Sequence, residues 1–505
     1  MSDVHKRAGQ HMIVDLPGPT LDPQTRAFLS KYQFKGICLF RRNVQSSEQL
    51  QTLMQDLREV LGDQALIAID QEGGAVLRIL DTPQAPSAMA LGATANPELS
   101  RQVGAAVGRG LRSYGINWNY APSLDVNVNP LNPMIGDRSF GSDPEAVALH
   151  GVNWALGLEE AGVMASVKHF PGHGDTHLDS HLALPTVDKP LVELLKTELH
   201  PFQKAAEAHV GSMMTAHIVF PALDSENPAT LSEKILTGLL RENWGYDGLI
   251  VTDAMDMHAI SRQYEGGQAA IKALNAGADL VLCVNDLELQ RKQVEAIARA
   301  IEDGTLDPEL LERSEQRMAR FGVQFPCTPL PYPEDQRAAD EELMLEAARQ
   351  ALTEHHLQSL PDAHKPVLLL CPEQLSVGGA YEDTLKPEHL YQHLKGIYPE
   401  LTLLTYPQDA PLSVRAELQS LLQTHPNVLL GGTARELLNE NELLLVQDIQ
   451  KQQVPILHLA LWNPYQVMQL GLPALITYGF RDNALQALTE ALQGKHPAGK
   501  LPVRF

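Results

Sequence analysis

Short apolar runs recur through the first two thirds of the chain at 11–16, 36–40, 65–69, 116–121, 163–167, 212–216, 248–252 and 279–283, eight in all. Each has the length of a strand and little polar alternation, the pattern of strands buried on both faces. Amphipathic segments fall between them at 47–61, 98–114, 144–161 and 267–275, with a weaker one at 19–32 and a regular helical period over 287–301. Strands alternating with helices can close into a (β/α)8 barrel of the TIM type or spread into an open doubly wound sheet. The count of eight favours the barrel. So do the polar residues: Asp70, Lys168 with His169, His217 and Asp253 follow the third, fifth, sixth and seventh runs. In a barrel such positions meet on one face, where ligands bind.

Four prolines within 325–333 break the periodicity. They mark a Pro-rich linker, 326–337, between a barrel domain at 1–325 and a second domain at 338–505. A chain of 505 residues has room for both. The second part opens with a helix over about 338–355. Apolar runs follow at 366–371, 401–406, 427–430, 455–461 and 474–478, separated by helical segments. This is the pattern of a smaller α/β sandwich with a mostly parallel sheet. It contains no GxGxxG, and the paired glycines Gly378-Gly379 and Gly431-Gly432 read as turns.

The net charge of −23 speaks against nucleic acid or an anionic membrane as partner and leaves a small neutral ligand open. Cys38, Cys283, Cys327 and Cys371 are dispersed and form no CxxC pair, so they read as core thiols rather than metal ligands. No stretch approaches the length of an apolar span, and the first residues lead into no signal-peptide core. A cytoplasmic protein is expected. Its oligomeric state is left open.

The densest chemistry lies in Lys168 to His181, where His169, His173, His177 and His181 recur every fourth residue. Pro171, Gly172 and Gly174 argue against a helix there. The stretch can serve as a metal site, as general acid/base machinery, or as a hydrogen-bonded loop. Asp179 and His181, two apart, can face one side of an extended loop, so that the carboxylate orients the imidazole. Asp253 emerges from a buried strand, where a carboxylate is costly unless paired or used. Lys168 or His169 could keep it ionised for nucleophilic work, and a helix cap or structural ion pair is the plain alternative. Asp256 reads as capping or solvent-facing. Asp70, in Asp70-Gln71-Glu72-Gly73-Gly74, can accept ligand hydroxyls, and Arg78 follows in the same unit. Arg138, in a Gly-flanked loop, can donate several hydrogen bonds.

Taken together, Asp70 to Gly74, Gly136 to Phe140, Lys168 to Thr176 and Thr252 to Met257 resemble glycoside hydrolase family 3, in its two-domain β-N-acetylhexosaminidase branch. Lys168-His169-Phe170-Pro171-Gly172-His173-Gly174 is the most specific piece, and 494–503 resembles the end of the family's second domain. The resemblance implies a retaining β-N-acetylglucosaminidase acting on muropeptides or chitooligosaccharides, with a small carbohydrate as partner and no cofactor or metal. Asp253 matches the nucleophile. Asp179 and His181 match the branch's dyad, with His181 as acid/base. Asp70, Arg78, Arg138, Lys168 and His169 match sugar-binding residues, and His217 is expected at the same pocket. His173 and His177 then lose importance and are expected to be structural or exposed.

Two departures stand out. Ala75 replaces an arginine common after the paired glycines, and the second domain has no evident catalytic duty if His181 supplies the proton. Phosphorolysis of N-acetylglucosaminides and β-glucosidase activity remain alternatives within the family. Outside it stand a metal-dependent hydrolase on a barrel and a carbohydrate-binding protein with an inactive barrel.

Overall fold

The structure, a computed structural model, describes residues 3–176, 184–261, 264, 267–373, 385–432 and 436–504. Eight parallel strands form a closed barrel in sequence order: β1 (Met12–Asp15), β2 (Gly36–Leu39), β3 (Leu66–Ile69), β4 (Trp118–Asn119), β5 (Met164–Phe170), β6 (Ser212–Thr215), β7 (Leu249–Ala254) and β8 (Leu280–Cys283). β8 pairs back onto β1, so the barrel has no open edge. Every expected run carries one strand.

Side chains alternate between two cores, which explains the near-continuous apolar runs. Ile13, Leu66, Ala68, Trp118, Leu249 and Leu280 fill the interior. Val14, Ile67, Ile69, Ile250 and Val281 pack under the surrounding helices. Helix Pro308–Gln324 adds Met318 and Phe321 to the inner cluster, and Phe325 follows. Asn117, just before β4, donates to the carbonyls of Ala65 (2.9 Å) and Phe325 (2.6 Å). This closes the end where the strands begin and leaves free space at their C-terminal ends.

The helices start where side chains can satisfy their orphan N–H groups. Ser46 accepts from Gln49 N ahead of Ser47–Leu61, and Asp143 accepts from Glu145 N and Ala146 N ahead of Pro144–Glu160.

Two strands run further than their apolar residues indicate. β5 continues through Lys168 and His169, and β7 through Asp253, each with a register irregularity against its neighbour. Such bulges re-aim side chains, so polar residues can sit in a strand yet face the barrel mouth.

The second sheet has six strands: β9 (Thr353–His355), β10 (Val367–Pro372), β11 (Leu401–Tyr406), β12 (Asn427–Gly432), β13 (Ile456–Ala460) and β14 (Ala474–Ile476). Their order is β11-β10-β12-β13-β14-β9, all parallel except β9, which is antiparallel on the β14 edge. The preceding helix is Glu334–Ala351 rather than 338–355; it starts on Pro333, and Thr353 to His355 leave it to pair with β14. Apolar clusters cover both faces of the sheet.

The two parts meet along the segment that follows β3. Ala75 and Val76 are buried within the second sheet's apolar cluster, with Leu352, Trp462 and Phe480. Arg481 Nε donates to Gly74 O (2.8 Å) and Ser87 Oγ to Tyr478 O (2.6 Å). Gly73 and Gly74 adopt φ of 112° and 55°, and a Cβ on Gly73 would lie 2.4 Å from Pro86 O. Only glycine fits that turn.

Candidate active site

A cavity of about 330 Å³ opens at the C-terminal ends of the strands, within the size range of small-molecule sites. Asp70, Arg78, Arg138, Lys168, His169 and Asp253 all line it, drawn from β5, β7 and the segments after β3 and β4.

Lys168 organises one wall. Its ammonium lies 2.6 Å from Asp70 Oδ1 and 2.7 Å from Glu72 Oε1. Arg138 grips Glu72 with two bonds, Nε to Oε2 at 2.9 Å and Nη2 to Oε1 at 2.8 Å. Arg78 Nη2 stands 3.5 Å from Asp70 Oδ2. Burial alone would raise the Glu72 carboxyl, but Arg138 and Lys168 overcome it and hold the group well below the usual carboxylate range. Burial works against the Lys168 charge, yet Asp70 and Glu72 raise it above the ordinary lysine value. The wall is thus fixed in charge before any ligand arrives, and the Asp70 side chain, 17% exposed, offers acceptors to the cavity.

His169 is set from behind. Its Nδ1 lies 2.7 Å from Asp125 Oδ2, and its backbone N–H donates to Asp125 Oδ1 at 3.2 Å. A carboxylate only accepts, so Nδ1 carries the proton and Nε2 is left as an acceptor, 3.5 Å from Arg138 Nη2. Asp125 also accepts from His173 N (2.6 Å) and Ser123 Oγ (2.9 Å). Burial opposes its charge, but His169 and His173 hold the carboxyl down at about 2.

Asp253 stands on β7 with its side chain half-buried at the cavity, and its Oδ1 accepts from Ala254 N at 2.8 Å.

The model of the glycosyl hydrolase family 3 N-terminal domain matches residues 5–321. The chain belongs to glycosyl hydrolase family 3. β-Hexosaminidase A of Pseudoalteromonas piscicida is 39% identical over 336 residues, a match that spans 61% of this chain and 56% of that protein. The β-hexosaminidase of Chromobacterium violaceum is 37% identical over 315 residues, spanning 61% of this chain and 86% of that one. The structure of a family 3 β-N-acetylglucosaminidase from Paenibacillus sp. str. FPU-7 superposes with a TM-score of 0.92 at 32% identity, covering 100% of this chain and 99% of that one.

In this family 3 chain His217 is buried next to the cavity-lining Ala254. Its Nε2 meets Ala254 O at 3.0 Å and its Nδ1 lies 2.9 Å from the Thr230 hydroxyl, so it braces the end of β7 beside Asp253. Asp256, read as capping or solvent-facing, lines the cavity, and its Oδ2 accepts from Asn285 Nδ2 at 2.6 Å. His173 is buried at the cavity wall, its Nδ1 2.7 Å from Thr176 Oγ1. Asp179 and His181, with His177, lie outside the described residues.

Glu72 and Asp125 were not among the expected site residues, yet they fix Lys168, Arg138 and His169. Glu72 sits inside the matched segment after β3. Asp125 follows a strand of only two residues, where the apolar signal had already ended.

Proposed function

We propose that this chain is a retaining β-N-acetylglucosaminidase that releases terminal N-acetylglucosamine from glycosides such as muropeptides or chitooligosaccharides, through a glycosyl–Asp253 intermediate. One observation carries the reading: Asp253 faces a sugar-sized cavity whose other wall is the charge-fixed set Asp70, Lys168, Glu72 and Arg138. The relatives named β-hexosaminidase and the solved β-N-acetylglucosaminidase support the same sugar.

In the proposed reaction Asp70 and His169 Nε2 accept sugar hydroxyls, while Arg78, Arg138 and Lys168 donate to sugar oxygens. Asp253 attacks the anomeric carbon as His181, oriented by Asp179, protonates the leaving oxygen. His181 then takes a proton from water, which displaces Asp253 and releases the sugar with retained configuration. Retaining enzymes ordinarily pair two carboxyls about 5–5.5 Å apart; here an imidazole with an ordinary pKa near 6.5 takes the acid/base part. The catalytic groups belong to the barrel domain, 1–325, joined by 326–337 to the second domain, 338–505. No helix among the described residues is long and apolar enough to cross a membrane, and all four cysteines are buried free thiols, which supports a cytoplasmic setting.

The test is turnover of an aryl β-N-acetylglucosaminide by Asp253→Asn and Asp253→Ala. Loss of at least about a thousandfold in kcat is expected, since the covalent route is removed. Near-normal turnover would overturn the assignment. Running the wild type with and without phosphate, and on an aryl glucoside, separates hydrolysis from phosphorolysis and from glucosidase activity.

A further inference from the structure

We propose that the second sheet domain carries a surface site for a divalent transition-metal ion, with zinc as its natural class, formed by His389, His393 and Asp482. His389 and His393 are four apart on helix Pro387–Lys395, so their side chains share one face of it. Asp482 is the first residue of helix Asp482–Leu492. Three atoms converge: His389 Nε2 lies 2.8 Å from Asp482 Oδ1 and 3.2 Å from His393 Nε2, and His393 Nε2 lies 3.7 Å from Asp482 Oδ1. Among the described residues this is the group whose ligand atoms come together in this way.

The spacing also fits an ion. Separations of 2.8, 3.2 and 3.7 Å define a circle of radius about 1.9 Å. An ion roughly 0.7 Å above that plane is about 2.0–2.1 Å from every ligand, the zinc–nitrogen and zinc–oxygen distance, as at the apex of a tetrahedron. Two imidazole nitrogens and one carboxylate oxygen suit zinc, nickel, cobalt or copper, and exclude a preference for magnesium or calcium, which take oxygen donors. The fourth position faces solvent, where water can complete the shell. Asp482 is 81% exposed and His393 28%, so the ion can enter without opening the fold. The chain's net charge of −23 favours cation uptake.

Because the ligands come from two helices, the ion joins helix Pro387–Lys395 to helix Asp482–Leu492. Its role is structural: it stabilises the second domain and takes no part in the barrel chemistry. Binding to the folded form alone multiplies the folding constant by one plus the ratio of free ion to Kd.

The experiment uses the full chain, stripped with chelator, and compares wild type with His389→Gln/His393→Gln and with Asp482→Asn. Zinc uptake is measured by titration calorimetry and by metal analysis after gel filtration, with magnesium as control. The histidine variant should bind one zinc fewer per chain, and Asp482→Asn should weaken that ion at least tenfold. Zinc should raise the melting temperature of the wild-type chain and leave the histidine variant unmoved. Turnover of an aryl N-acetylglucosaminide by the variants should stay within twofold of wild type, which also reports that they are folded. Cobalt should give visible bands of tetrahedral intensity in the wild type that the histidine variant lacks. Equal zinc stoichiometry in wild type and folded histidine variant, or equal response to magnesium, would overturn the site.

Discussion

Asp125 offers the sharpest test of how the barrel holds its proposed sugar wall. Asp125→Asn keeps the shape and removes the charge. One amide oxygen can still accept from the backbone N–H of His169 and His173, as Oδ1 does now at 3.2 and 2.6 Å. The amide nitrogen then takes the place of Oδ2, which now receives His169 Nδ1 at 2.7 Å and Ser123 Oγ at 2.9 Å. Donor meets donor, and His169 must move its proton to Nε2, which ceases to be an acceptor. A hydrogen bond to a charged group is worth about 1.5–3 kcal/mol, so kcat/KM for an aryl N-acetylglucosaminide should fall roughly 10–150-fold. His169→Ala should cost a similar factor, and the double variant little more than either, because both remove one arrangement.

Stability should change as well. Asp125 is depressed from 3.8 to about 2 in the folded chain, so its contribution is fully present above pH 3.8 and is lost as pH falls toward about 2. The shift corresponds to about 2 kcal/mol, which Asp125→Asn forfeits at neutral pH. The assays are steady-state kinetics and urea unfolding at pH 7. A variant within twofold in kcat/KM, or multiplicative losses in the double variant, would refute the tautomer argument.

Other outcomes follow from the same structure. Glu72→Gln leaves Arg138 and Lys168 facing each other without their shared carboxylate; breaking a buried pair costs about 3–5 kcal/mol, read as a lowered urea midpoint together with lost activity. His217→Ala should lower kcat by loosening the end of β7 while leaving KM within about threefold; an effect confined to KM would place it at the sugar instead. Burial holds His150 and His173 down at about 4 against an ordinary 6.5, so stability should be full above pH 6.5 and fall as pH drops toward 4. His150→Gln, whose amide oxygen can still accept from Ser100 Oγ, should flatten part of that loss in a melting series.

The barrel was legible because all eight strands are buried on both faces and announce themselves as apolar runs. The same signal misplaced the ends of β5 and β7, since bulges let Lys168, His169 and Asp253 stay in the strand while facing the mouth. It missed β9, three residues that pair only because the β14 edge is available. Residues that line the cavity, such as Asp70 and Arg138, stand in motifs with recognisable spacing. Those that hold them, Glu72 and Asp125, are set by contacts across the barrel mouth. Local pattern carries no record of which strand end a side chain will meet.

The burial of Ala75 and Val76 in the second sheet's apolar cluster has a consequence for how the chain comes apart. The segment that ends in Gly74 carries Asp70 and Glu72 at its start, and its far side is core of the neighbouring domain. A chain trimmed to residues 1–325 would therefore expose apolar side chains and release the backbone that aims Glu72. Loosening the second sheet should therefore loosen the backbone that carries Asp70 and Glu72, so that damage to one part is felt at the cavity of the other.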